Sequence, residues 1–283
     1  MTGSLPSIRL IVADLDGTLL GVSREVSPRV RAAIQVARSR GVQMALCTGR
    51  PMFTTRRYIE ELQLTGFHIV DGGATILDPF TGLVLYRHGF TPALARDVLN
   101  YAQHEGIGLE VYSGDEYYVE TADEHSRLHT EVMLHPPVVR PLADVVEHMP
   151  ITKMETMATN DEERARLRAM AVHFADSVDW GWSYAPGIAA DFVNIIPKGV
   201  SKGQAVVRLI DHTGIPVAQV MGVGDAMNDE PLLRAVGLPV AMGHAPDALK
   251  QVARWITSSV EEDGLALAVE RYVLSNGREA WAP

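Results

Sequence analysis

The feature that most constrains this chain is an alternation in which short apolar runs stop at polar, glycine-bearing turns and hand over to helices. Ile8 to Ala13 is mostly apolar and stops at Asp14-Leu15-Asp16-Gly17-Thr18. Val42 to Cys47 stops at Thr48-Gly49-Arg50, and Val217 to Val223 stops at Gly224-Asp225. Each run reads as a buried strand that enters a loop. Between them, Ser27-Pro28 opens a helix, with serine as cap and proline in the first turn. Val30, Ala33, Ile34 and Ala37 give that helix one apolar stripe, and Gly41 closes it. Arg50-Pro51 starts a second helix, Ser201 to Ile210 forms a third that Gly214 closes, and Pro231 to Val236 lies on a fourth. Leu238 to Met242 adds one more strand. This order predicts an α/β fold whose core is a doubly wound parallel sheet with right-handed crossovers. Open sheets of that kind bind ligands beyond the carboxyl ends of their strands.

The middle of the chain breaks the alternation. Thr75 to Tyr86 reads as a hairpin around Asp78-Pro79-Phe80-Thr81-Gly82. Pro92 to His104 is helical, Val111 to Glu120 is a strand pair around Ser113-Gly114-Asp115, and Asp161 to Phe174 is a charged helix. The parallel-sheet pattern resumes near Phe192. Charge marks the same stretch: residues 86–191 hold 8 basic and 18 acidic residues, the whole net charge of −10, and seven of the ten histidines. The expected organisation is a core of residues 1–85 and 193–283 with an inserted α+β module, 86–192. At 283 residues the chain is long enough for two domains. The acidic balance argues against a nucleic-acid binder. The single cysteine argues for a reducing compartment. Met1 to Ser7 lacks a signal pattern, and no stretch reaches the roughly 18 apolar residues of a membrane span. A cytoplasmic protein without a membrane or obligate protein partner is the expectation.

Four places carry chemistry. In Asp14-Leu15-Asp16, side chains two apart along a strand point the same way, so both carboxylates can face one site. Gly17 lets the chain turn there. Carboxylates this close repel unless a cation or proton separates them; the alternative is an acidic surface turn. Gly224-Asp225-Ala226-Met227-Asn228-Asp229 brings further carboxylates to the same sheet edge. Such hard oxygen ligands suit Mg²⁺, although Asp229 near a helix start also fits the helix dipole. Thr48 and Gly49 stand where a hydroxyl and helix-start N–H groups can hold a phosphate; a helix cap is the alternative. Lys202 sits in a first helical turn, where its charge opposes the dipole, although a solvated surface lysine is the default reading. Elsewhere the plain readings hold. Cys47 is a small core residue, the middle histidines lie at the surface or touch substrate, and Trp180, Trp182 and Tyr184 pack within the insert, or one of them lines the cleft. Arg50 reaches substrate or bridges the two parts.

In this order, Asp14-x-Asp16-Gly17-Thr18, Thr48-Gly49-Arg50, Lys202 and Gly224-Asp225-x-x-Asn228-Asp229 resemble the four motifs of the haloacid dehalogenase superfamily. The long insert between the second and third motifs, with Pro197-Lys198-Gly199-Val200-Ser201-Lys202-Gly203 and Glu262-Asp263-Gly264-Leu265-Ala266, is similar to its Cof-type phosphatases, which carry a large α/β cap at that point. Asp71-Gly72-Gly73-Ala74 departs from a pattern that more often begins with asparagine. The resemblance implies a phosphatase for small phosphate monoesters such as sugar phosphates, acting through an aspartyl-phosphate, with the cap covering the site and setting specificity. It implies that Asp14 is the nucleophile and Asp16 the general acid and base. Asp14, the Asp16 carbonyl and Asp225 would hold Mg²⁺, with Asp229 orienting metal waters. Thr48, Gly49, Lys202 and Asn228 would hold the phosphate, or Asn228 would orient Lys202. A phosphomutase shares every step up to the phosphoenzyme and stays open as the alternative. A phosphate-sensing receiver module is a rival of another class, against which the length and the insert both count.

Overall fold

The computed structural model describes residues 7–185 and 189–275, which group into two compact units. Met1 to Pro6, read above for a signal pattern, lie outside the described residues, as does the side chain of Tyr184. Among the described residues the first unit takes in 7–49, 55–86 and 201–275, and the second 50–54, 87–185 and 189–200.

The first unit is built on a five-stranded sheet. Its order is Trp255–Ile256, Leu238–Ala241, Val220–Gly224, Leu10–Ala13, Gln43–Leu46, and every neighbouring pair is parallel. Leu10–Ala13 is buried along its whole length, as a run without polar alternation requires. The register pairs Ala13 with Val223 on one side and with Leu46 on the other. Asp14, Cys47 and Gly224 therefore stand at one level at the carboxyl end of the sheet. The crossover helices start as their caps dictate. The Ser27 hydroxyl accepts the Val30 N–H at the head of Pro28–Ser39, and the Ser201 hydroxyl accepts the Gln204 N–H at the head of Lys202–Thr213. Gly214, at φ +65°, ends the latter. The apolar stripe read from the sequence, Val30, Ala33, Ile34 and Ala37, is the buried face of its helix. A small sheet of His68–Val70, Thr75–Leu77 and Val84–Arg87 extends this unit, and the Thr48 N–H donates to the Ile69 carbonyl (3.0 Å). The expected hairpin is its last two strands.

The second unit holds a six-stranded sheet in the order Val178–Ala185, Ala190–Pro197, Lys153–Ala158, Glu110–Ser113, Glu116–Val119, Val138–Val139. All pairs are antiparallel except the last. The sequence pattern placed the return to the first unit near Phe192. Ala190–Pro197 instead pairs along its length with Val178–Ala185 and over Asp191 to Ile195 with Lys153–Ala158, so these residues group with the second unit up to Val200. An apolar alternating strand of that kind fits either sheet, and only the pairing decides.

One face of the second sheet packs Val111, Met154 and Ile195 against Val98, Leu99, Val145 and Val146 of the helices Pro92–His104 and Leu142–His148. The opposite face carries the alternate residues of the same strands, Glu110, Lys153 and Glu155, all buried. His129, on the helix Glu124–Met133, is also buried rather than at the surface. Its Nδ1 lies 2.6 Å from Glu110, its Nε2 lies 3.6 Å from Glu155, and Lys153 Nζ lies 2.6 Å from Glu155. Burial alone would lower the His129 pKa, but Glu155 and Glu110 together raise it. The surface reading failed because nothing local marks a helical histidine whose partners are carboxylates 19 and 26 residues away.

Candidate active site

The four sequence signals meet in the first unit, beyond the carboxyl ends of its central strands. Asp14 continues the strand Leu10–Ala13, and its N–H donates to the Val223 carbonyl (3.0 Å). Its carboxylate is buried and its Oδ1 accepts from Lys202 Nζ at 2.7 Å. The same ammonium donates to Asp229 Oδ1 at 2.6 Å. The lysine that looked misplaced in a first helical turn is therefore 3% exposed and held between two carboxylates. Burial alone would lower its pKa, but Asp14 and Asp229 push it above the ordinary lysine range, so it stays cationic.

Asp229 has a second task. Its Oδ2 accepts the backbone N–H groups of Asp225 (3.0 Å) and Ala226 (3.1 Å), which fixes the turn that presents Asp225. Asp225 Oδ1 in turn accepts the Thr18 hydroxyl at 3.0 Å. Gly17 makes this approach possible: at φ +80°, a Cβ on it would stand 2.2 Å from Asp225 Oδ2. One oxygen from each of Asp14, Asp225 and Asp229 lies within 4.8 Å of the others. Three carboxylates against one ammonium leave an excess of negative charge. Burial, then repulsion from Asp229, hold the Asp14 and Asp225 carboxyls above the usual carboxylate range, even though Lys202 pulls the other way at Asp14.

The other residues named from sequence fall around this cluster. Asp16, two residues beyond Asp14, is exposed. Thr48 is buried, and Gly49 follows it at the end of the neighbouring strand. Cys47 is buried beside the cluster and its thiol pKa is raised by burial, which fits a core residue. Asn228 is not drawn into the hydrogen-bond network among the described residues. Its side chain is exposed, and Asp229 rather than Asn228 orients Lys202. Sequence reasoning missed His244, whose Nε2 lies 3.5 Å from Asp225 Oδ2. It follows the strand Leu238–Ala241, which pairs Ala241 with Gly224, and no local sequence signal reveals that register.

A profile of the haloacid dehalogenase-like hydrolases matches residues 11–269. The chain belongs to this family. It is thus an enzyme, a hydrolase, and its insert between the second and third motifs places it with the Cof type. Among similar proteins is the 5-amino-6-(5-phospho-D-ribitylamino)uracil phosphatase of Bacillus subtilis, 27% identical over 272 residues, covering 94% of this chain and 96% of the relative. The HMP-PP phosphatase of Serratia proteamaculans is 28% identical over 249 residues, covering 86% and 87%. Among solved structures, TM0651 from Thermotoga maritima superposes with a TM-score of 0.84 at 26% identity, covering 93% of this chain and 97% of that one. Among the described residues no helix is long and apolar enough to cross a membrane.

Proposed function

We propose that this hydrolase is a Mg²⁺-dependent phosphatase that cleaves small phosphate monoesters through an aspartyl-phosphate on Asp14. The observation that carries the reading is the clustering of the Asp14, Asp225 and Asp229 carboxylates, with the buried ammonium of Lys202 bridging Asp14 and Asp229. The donor set fits the metal: three hard oxygen ligands carry more negative charge than one lysine balances. Asp14, the Asp16 carbonyl and Asp225 would hold the ion, and Asp229, whose oxygens serve Lys202 and two backbone amides, supports them from behind. When bound, the ion supplies charge neutralisation at the phosphoryl oxygens.

Lys202 occupies Oδ1 of Asp14, so the attack falls to Oδ2. That oxygen bonds to phosphorus as the ester P–O bond breaks, and the leaving oxygen takes a proton from the Asp16 carboxyl. The Asp16 carboxylate then accepts a proton from the water that attacks the acyl phosphate, releasing inorganic phosphate and free Asp14. Lys202, Thr48 and Gly49 steady the charge on the transferred group, and Asn228 contacts its outer side. The inserted unit selects the rest of the substrate. The named phosphatases among the relatives support a small phosphorylated metabolite, of which a sugar phosphate is one class. The test is a panel of phosphate monoesters assayed for released phosphate with Mg²⁺ and with excess chelator. Release that persists undiminished in chelator defeats the metal assignment. An isomeric ester in place of free phosphate defeats the hydrolase assignment in favour of a mutase.

A further inference from the structure

Asp225 has one firm side-chain anchor, the Thr18 hydroxyl on Oδ1. Its other oxygen, Oδ2, faces His244 Nε2 at 3.5 Å. The approach is built into the backbone. Ala241 pairs with Gly224, so the residues after Ala241 leave the sheet beside those after Gly224. The Gly243 N–H donates to the Ser258 carbonyl (3.0 Å) and the Ala245 N–H to the Met242 carbonyl (3.0 Å), which holds His244 inside a pinned turn. The imidazole is 37% exposed and the Asp225 side chain 15%, so the ring stands on the solvent side of the carboxylate.

We infer that His244 is a positioning residue that holds the second oxygen of Asp225 and thereby sets how tightly this site takes a divalent cation. With the proton on Nε2, the ring faces Oδ2 at 3.5 Å and donates to it on a small closing movement, while Thr18 holds Oδ1, so that the carboxylate is held from both sides. This matters because Asp229 repels Asp225. Unheld, the carboxylate lowers its energy by turning away from Asp14 and Asp229, and the shared donor set is lost. Outer partners of this kind set metal affinity by roughly 10–100-fold.

The inference rests on the metal reading above, so the test reads metal without turnover. Mn²⁺ is titrated into the metal-free full chain and free Mn²⁺ is followed by electron paramagnetic resonance, for wild type, His244→Ala and His244→Gln. Thermal unfolding in chelator confirms that each is folded. The expected result is one site in wild type, binding weakened about tenfold in His244→Ala, and most of the loss regained in His244→Gln, whose amide N–H can reach the same oxygen. In an Asp225→Asn background, removing His244 should then cost nothing further, because its effect runs through that carboxylate. Wild-type affinity in His244→Ala overturns the inference, as does a His244→Gln protein as weak as His244→Ala, or an undiminished loss in the Asp225→Asn background. Absence of any Mn²⁺ site in wild type overturns the metal reading itself, a different outcome.

Discussion

Replacing Lys202 with methionine keeps its length and removes its charge. The ammonium makes contacts of 2.7 Å to Asp14 and 2.6 Å to Asp229, and all three side chains are at most 7% exposed. At an effective dielectric of about 20, each contact corresponds to about 6 kcal/mol of gross attraction. The cost of burying the ammonium offsets much of that, and breaking a buried pair from one side leaves a net loss of about 3–5 kcal/mol. The upper end is expected, since three carboxylates are left without a cation. The sign of the pH effect follows from the carboxyls. Asp14 and Asp225 have folded pKa values raised above their unfolded ones. Such groups penalise the folded state above that range, and the penalty fades as pH falls through the folded pKa. Lys202, whose raised pKa favours its charged form, stays charged throughout. The deficit of Lys202→Met should therefore shrink as pH falls from 8 to 5. Asp229→Asn in the same chain should restore part of it by removing one of the repelling charges. Urea unfolding in chelator, followed by circular dichroism at both pH values, measures this. A deficit below about 1 kcal/mol, or one equal at the two pH values, would show that the triad is not electrostatically strained.

Asp14→Asn should show no phosphate uptake in acid-quenched protein, because an amide is a far poorer nucleophile; labelled phosphate from a monoester substrate reads this. Asp16→Asn should lower kcat by roughly 10²–10⁴-fold while Mn²⁺ binding stays intact, since only the carbonyl of Asp16 is assigned to the ion. Gly17→Ala should weaken metal binding and stability together, because its Cβ would meet Asp225 Oδ2 at 2.2 Å in a left-handed backbone; Mn²⁺ titration and thermal unfolding measure the two losses. Cys47 should resist a thiol reagent until the protein unfolds, being buried with a raised thiol pKa.

The site was legible where local rules coincide with tertiary ones. Asp14 and Asp225 follow buried strands, and strand ends in a parallel sheet converge whatever the loops do. Lys202 was marked only weakly by its conflict with the dipole, with a surface lysine as the default reading and the resemblance supplying its role; in the fold the conflict is resolved by two carboxylates. Asp229 showed its place but not its double use, since donors from Lys202 and from its own turn depend on side-chain geometry. His244 was invisible because its role comes from the register of two strands. The course of Ala190–Pro197 was misread for a related reason: period-two alternation tells that a strand is half buried, not which sheet it joins.

The order of synthesis gives the insertion a kinetic meaning. Leu10–Ala13 is an interior strand of its sheet, yet its neighbour Val220–Gly224 is encoded roughly 200 residues later. At about 5–20 residues per second, the ribosome leaves that strand edge without its partner for about 10–40 s. Meanwhile nearly the whole second unit emerges as one contiguous stretch, with its own buried cluster around Val111, Met154 and Ile195. The nascent chain can thus complete its inner domain first, while the early strands Leu10–Ala13 and Gln43–Leu46 wait with backbone groups open to intermolecular pairing. Slowed translation between Arg87 and Ser201 should lengthen this exposure and favour aggregation of a protein whose finished form hides that edge completely.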